Sequence, residues 1–187
     1  MNKRQTILQQ AMLLAEHSDW ESVRLRDLAS SMNIPLLEIH QHYPQKDDLV
    51  DAWFDLADQA MLACQQHPDF EHSSAQDKLL TAMMQWLNAM ASHRRVTRQM
   101  LYYKLEPGHI HLQAAAVLRI SRTVQWLREI ADLKAQSFKR IEQELALTAL
   151  FTSGFVRWLT APEPAGTTAR NWLARGLQLG RWRNLWH

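Results

Sequence analysis

Apolar residues along this chain recur at intervals of three and four, and no run of useful length alternates at an interval of two. Ile7, Leu8, Ala11, Leu14 and Ala15 set the pattern, which lines one face of an amphipathic helix and stops at the polar break His17-Ser18-Asp19. A short second helix is predicted over 23–31, with Leu25, Leu28 and Ala29 facing inward. Met32-Asn33-Ile34 then makes a tight turn, because Asn tolerates left-handed backbone angles. Pro35 suits the first turn of a third helix over about 36–42, where its missing N–H has no partner to lose. That helix stops at Tyr43-Pro44. A longer helix over 46–66 follows, then a loop over 67–74. Further helices are predicted over 75–92, 96–104, 107–131 and 137–160. The break Ala161-Pro162-Glu163-Pro164 separates the last of these from a final helix over 166–179. The expected fold class is therefore all-α, with about nine helices. Only 5 Gly and 6 Pro in 187 residues leave little turn material for a β-sandwich or barrel.

The chain is 47% hydrophobic and 21% charged, ordinary values for a soluble globular protein. No stretch approaches the roughly 20 apolar residues that a membrane-spanning helix needs. The first ten residues, MNKRQTILQQ, lack the apolar core of a signal peptide, so a cytoplasmic location is expected. The single cysteine, Cys64, has no internal partner for a disulfide. The net charge of +2 conceals an asymmetry: five basic residues face seven acidic ones through Leu49, and sixteen face twelve thereafter.

Helix, short helix, turn and short helix within the first 45 residues is a helix-turn-helix layout with an extra helix in front. Here the sequence resembles the tetracycline-repressor (TetR) family of bacterial regulators. The resemblance is carried by Ile7-Leu8 and Ala11 and by Asp19-Trp20, where the family has Gly plus an aromatic. It continues through Val23-Arg24-Leu25-Arg26-Asp27-Leu28-Ala29 and Met32-Asn33-Ile34, in place of an Ala-Gly-Val turn. His42-Tyr43-Pro44-Gln45-Lys46-Asp47-Asp48-Leu49 is similar to the family's His-Phe-x-x-Lys-x-x-Leu ending. The resemblance implies a DNA-binding domain over 1–45 and a ligand-binding and dimerisation bundle over 46–187. It also implies operator DNA as a partner, a homodimer formed through the last two helices, and a small apolar or amphipathic ligand as effector. The helix over 46–66 would join the two parts and move between states.

The candidate DNA-binding residues are Arg24, Leu36, Glu38, His40, Gln41, His42 and Lys46. The family's recognition helix carries a small residue, Thr, an aliphatic residue and Tyr where this chain has Leu37, Glu38, Ile39 and His40. Glu38 can accept from a cytosine amino group in the major groove, or serve as a first-turn carboxylate favoured by the helix dipole. His42 either contacts DNA or holds the helix end. Since phosphate neutralisation dominates affinity, a first segment of net −2 leans on Lys3 and Arg4. The candidate ligand-binding residues are Met61, Met83, Trp86, Met90, Met100, Tyr103, His109 and Trp126, soft and aromatic side chains that suit either an adaptable pocket or a packed core.

His109-x-His111 and the looser set Cys64, His67 and His72 lack the spacing of a metal site, and no metal or cofactor is implied. No nucleophile elbow, phosphate-cradling loop or paired carboxylates argue for an enzyme. The end of the chain, from Arg170-Asn171-Trp172-Leu173 to Arg181-Trp182-Arg183-Asn184-Leu185-Trp186-His187, mixes Trp with Arg. It can lie on a membrane surface or pack its apolar stripe on the body or a partner subunit. A rival reading follows from it and from the acidic first segment. On that reading the chain is a lipid- or isoprenoid-binding accessory protein on the same fold, as in ubiquinone biosynthesis, without DNA binding.

Overall fold

A computed structural model describes residues 2–105, 110–162 and 166–186. Among them are nine α-helices and no strand. α1 (Lys3–His17) begins at a capping box, in which Asn2 accepts from the Gln5 amide at 2.9 Å and the Gln5 side chain accepts from the Asn2 amide. α2 (Leu25–Ser31) and α3 (Leu36–His42) are a turn or two each. α4 (Lys46–Ala63) ends in a 3-10 turn, Cys64–Gln66. α5 (Ala75–Ala89) is capped by Ser74 and followed by a 3-10 turn, Ala91–His93. α6 (Arg94–Leu105), α7 (Ile110–Ile130), α8 (Ser137–Thr160) and α9 (Thr167–Trp182) complete the chain.

Packing divides these elements into two compact units. The first comprises Met1–Leu56 with Ser92–His109. Its core joins Ile7, Leu8, Ala11 and Met12 of α1 to Leu28, Ile39, Tyr43, Leu49 and Trp20, all but fully buried. The expected division at residue 45 separates residues that packing keeps together, because the first part of α4 and all of α6 belong to this unit. α6 is bound into it by polar contacts along its length. Arg95 donates to the carbonyls of Ala15, Glu16 and Ser18, which α1 leaves free at its C-terminal end. Thr97 accepts from the Trp53 indole at 2.9 Å, and Gln99 accepts from the Trp20 amide at 2.9 Å. Lys104 is buried between Asp47 at 3.4 Å and Asp51 at 3.2 Å, so its charge is matched where water is scarce.

The second unit comprises Ala57–Ala91 with Ile110–His187, a bundle of α5, α7, α8 and α9 with the end of α4. Leu79, Met83, Trp86, Leu127, Leu147, Phe151, Trp158, Leu173 and Leu177 are buried in its core, where Phe151 packs edge-on against Trp86. Two glycines let α8 and α9 of the same chain close on one another. A Cβ on Gly154 would lie 2.5 Å from Leu173 Cδ2, and one on Gly176 would collide with the Leu150 side chain. In the small-residue stretch Ala146, Ala149, Ser153 and Gly154, the glycine thus serves contact within the chain. After α9 the chain turns at Asn184 (φ 61°) and folds back. The Trp186 indole donates to the Leu177 carbonyl at 2.9 Å, and Gln143 donates to the Leu185 carbonyl at 2.6 Å. Within the terminal Trp/Arg segment, Trp186 and Leu185 are therefore buried while Trp182 points outward.

Candidate functional site

In the first unit, α2 and α3 are set by the turn between them. Asn33 takes the left-handed conformation at φ 52°, and the Asn33 and Ile34 amides donate back to the Ser30 and Ala29 carbonyls at 3.1 Å. Pro35 then opens α3 from an extended backbone. One face of α3 is fixed inward by Ile39 and by Tyr43 just beyond its end. The Tyr43 hydroxyl donates to the Arg4 carbonyl at 3.0 Å, the Arg4 guanidinium lies 5.1 Å above the ring, and burial raises the phenol's pKa. This bond ties the end of α3 to the start of α1.

The opposite face of α3 is open. Leu36 is 49% exposed and Leu37 68%, and His40 and Gln41 are exposed beside them. Glu38 is held by Lys3, whose ammonium lies 2.8 Å from its carboxylate. Arg24 stands exposed at the start of α2, paired with Asp27 at 3.2 Å. His42 is half-buried in the last turn of α3. Lys46 is turned into the unit: its ammonium donates to the Glu21 carbonyl at 2.8 Å and lies over the rings of Trp20 (5.2 Å) and Tyr103 (5.5 Å). Desolvation lowers its pKa, against the opposing pull of Glu21 and Asp19. Of the seven candidate DNA-binding residues, Leu36, His40 and Gln41 thus share α3's outward side, while Glu38 is taken by Lys3 and Lys46 is engaged elsewhere.

The candidate ligand-binding residues do not fall in one unit. Met61, Met83, Trp86 and Met90 are buried in the second unit, whereas Met100 and Tyr103 belong to the first. Trp126 is 44% exposed on α7. His109 lies outside the described residues. Around Trp86 the second unit holds a polar group that the sequence reading missed. The Asp58 carboxylate accepts from the Trp86 indole at 2.8 Å and the Thr123 hydroxyl at 3.0 Å, and pairs with Arg119 at 3.4 Å. Phe151 and Phe155 pack edge-on against the same indole, with centroids 4.9 and 5.1 Å away. The sequence signal was an acidic residue set in an apolar stripe, one turn after Phe54 and one turn before Met61. Arg119 and Thr123, four apart on α7, share a face that meets it.

No protein-family model matches the chain, and no curated protein does. Among solved structures, a TetR transcriptional regulator from Nitrosomonas europaea ATCC 19718 is 40% identical, over 96% of this chain and 98% of that one, with a TM-score of 0.85. The chain belongs to the TetR family of transcriptional regulators. A TetR regulator from Rhodococcus sp. RHA1 shares the fold at 15% identity, 94% coverage of each chain and a TM-score of 0.68. Within this TetR-family chain the expected helix-turn-helix layout and all-α class both stand. Among the described residues no group of three or more His, Cys, Asp or Glu side chains could hold a metal ion, and no helix is long and apolar enough to cross a membrane.

Proposed function

We propose that the protein is a dimeric one-component transcriptional regulator, not an enzyme, that acts in the cytoplasm. Its first unit lays α3 in the major groove of operator DNA, and its second binds a small apolar or amphipathic effector. The observation that carries the reading is the division of α3 into a buried anchor, Ile39 with Tyr43, and an open face free to meet base edges. α4 runs through both units, so an effector that favours one conformation of the second unit changes DNA affinity, and DNA changes effector affinity by the same factor. Met61, Met83, Trp86 and Met90 would line the apolar part of the effector site, and the Asp58 group would match a polar end. The dimer is supported by a stripe of outward apolar residues on α8, namely Phe138, Ile141, Leu145 and Val156, with Trp172, Leu179 and Trp182 on α9. A selection of genomic DNA fragments by the purified protein tests the reading: a regulator enriches a two-fold symmetric sequence, and failure to enrich any would refute it.

The rival, a lipid- or isoprenoid-binding accessory protein, is favoured by one observation. Lys46, Lys3 and Arg24 are all engaged with groups of the protein, which leaves the first unit few free cations for phosphate. Trp182, 74% exposed between Arg181 and Arg183, is where such a protein would meet a membrane. Removal of 181–187 would also strip Leu185 and Trp186 from the core, so Trp182→Ser is the cleaner variant. The rival requires liposome binding that this change abolishes.

A further inference from the structure

The open face of α3 is chemically unusual for a surface that meets a polyanion. Leu36 and His40 lie four apart, as do Leu37 and Gln41, and Leu37 and His40 lie three apart, so the four form one contiguous patch. α3 contains no Lys or Arg, and its single carboxylate, Glu38, is neutralised by Lys3. The N-terminal half of the patch is therefore two adjacent leucines, 49% and 68% exposed, with no charge of their own to match. Single exposed leucines are common on protein surfaces. Two together, on the helix that reads base edges, restrict what can lie against them.

In the major groove guanine and adenine present hydrogen-bonding groups, cytosine an amino donor beside a bare C5–H, and thymine alone a projecting apolar group, its C5 methyl. A leucine pressed onto a guanine or cytosine edge removes water from donors and acceptors and returns no hydrogen bond, which costs the desolvation of each. Pressed onto a thymine methyl it buries apolar surface on both partners. We infer that Leu36 and Leu37 are specificity-determining residues that read thymine methyl groups, so the operator half-site carries thymine under the N-terminal half of α3. The inference rests on the DNA-binding reading above, and it adds that discrimination at these positions is apolar.

The test uses the full-length protein and the half-site enriched in the fragment selection. Each thymine is replaced in turn by deoxyuridine, which deletes the methyl and leaves every hydrogen-bonding group in place. At one or two positions the wild-type protein should bind about three- to fivefold more weakly, the loss anticipated for one methyl taken out of an apolar contact. Leu37→Ala, at an exposed position, should keep the wild-type melting temperature and lose this sensitivity at one position; Leu36→Ala should lose it at another or at the same one. An enriched sequence with no thymine under α3 would overturn the inference alone. So would uracil substitutions that are neutral, or that cost both alanine variants as much as the wild type. Failure to enrich any sequence would overturn the DNA-binding reading and this inference with it.

Discussion

Lys3 and Glu38 bind each other across α1 and α3 at 2.8 Å, and the pair cancels the charge that each would bring to DNA. Glu38→Thr should therefore act twice, removing a carboxylate that repels phosphate and releasing the Lys3 ammonium to neutralise one. Affinity for DNA of any sequence should rise, and the salt slope should steepen by roughly one, the increment for a single added phosphate contact. Fluorescence anisotropy over a salt series measures both, and an unchanged slope would show that Lys3 stays off the DNA. Lys46→Ala should behave differently. Its ammonium serves the Glu21 carbonyl and the Trp20 ring, so the variant should lose about 1 kcal/mol of stability, a value kept low because the site is half open to water. Its salt slope should match the wild type. Asn33 takes the left-handed angle its type suggested, and of the outward residues of α3 the candidates included Leu36, His40 and Gln41 but not Leu37. The sequence did not reveal Lys3–Glu38 or Lys46–Glu21, because the direction of a long flexible side chain depends on neighbours supplied by packing.

Helix limits followed the breakers where breakers exist. α8 runs over Ser137–Thr160 as expected, but α9 continues through Gly180 to Trp182, because that glycine makes room for the Trp186 ring and does not end the helix. The allegiance of α6 was not legible: its partners Ala15, Glu16 and Trp20 lie about eighty positions away, and periodicity shows which residues share a face without showing what the face meets. Gly154 illustrates the same gap. The seam it opens is filled by Leu173 of its own chain, so Gly154→Leu should overpack the α8–α9 contact and destabilise the fold by about 1–3 kcal/mol. Chemical denaturation measures this, and full stability in the variant would contradict the close approach. Between α7 and α8, the Arg140 guanidinium donates to Glu144 at 2.7 Å and, with Gln125 and Arg128, holds its carboxyl below the usual value. A depressed carboxylate stabilises the fold above its unfolded pKa, and that contribution is lost as the pH falls through the folded one. Urea midpoints from about pH 6 to about pH 3 should therefore fall more steeply for the wild type than for Glu144→Gln.

On the proposed reading, two copies of the chain join through the outward faces of α8 and α9. Phe138, Ile141, Leu145 and Val156 recur in helical register on one side of α8, where a monomer would leave them in water. Such a stripe exceeds the scattered exposed leucines of an ordinary surface, and a two-fold pairing buries it twice over. The register was present in the sequence. Register does not say which surface covers the stripe, whereas Gly154 on the same helix meets Leu173 of its own chain. Leu145→Glu places a charge in the stripe without touching the buried core of either unit. The variant should keep its helical content and melt cooperatively, but sediment as a monomer at micromolar concentration where the wild type sediments as a dimer. The consequence for DNA is sharper than a loss of affinity. A dimer reads two half-sites about 34–36 Å apart, or a multiple of that distance, because its two α3 helices must enter the groove on one side of the duplex. Insertion of five base pairs between the half-sites turns one of them to the far side. The wild type should lose most of its affinity for that DNA, whereas Leu145→Glu, already confined to one half-site, should bind both DNAs equally and weakly. Equal binding of both DNAs by the wild type would leave the paired reading heads without support.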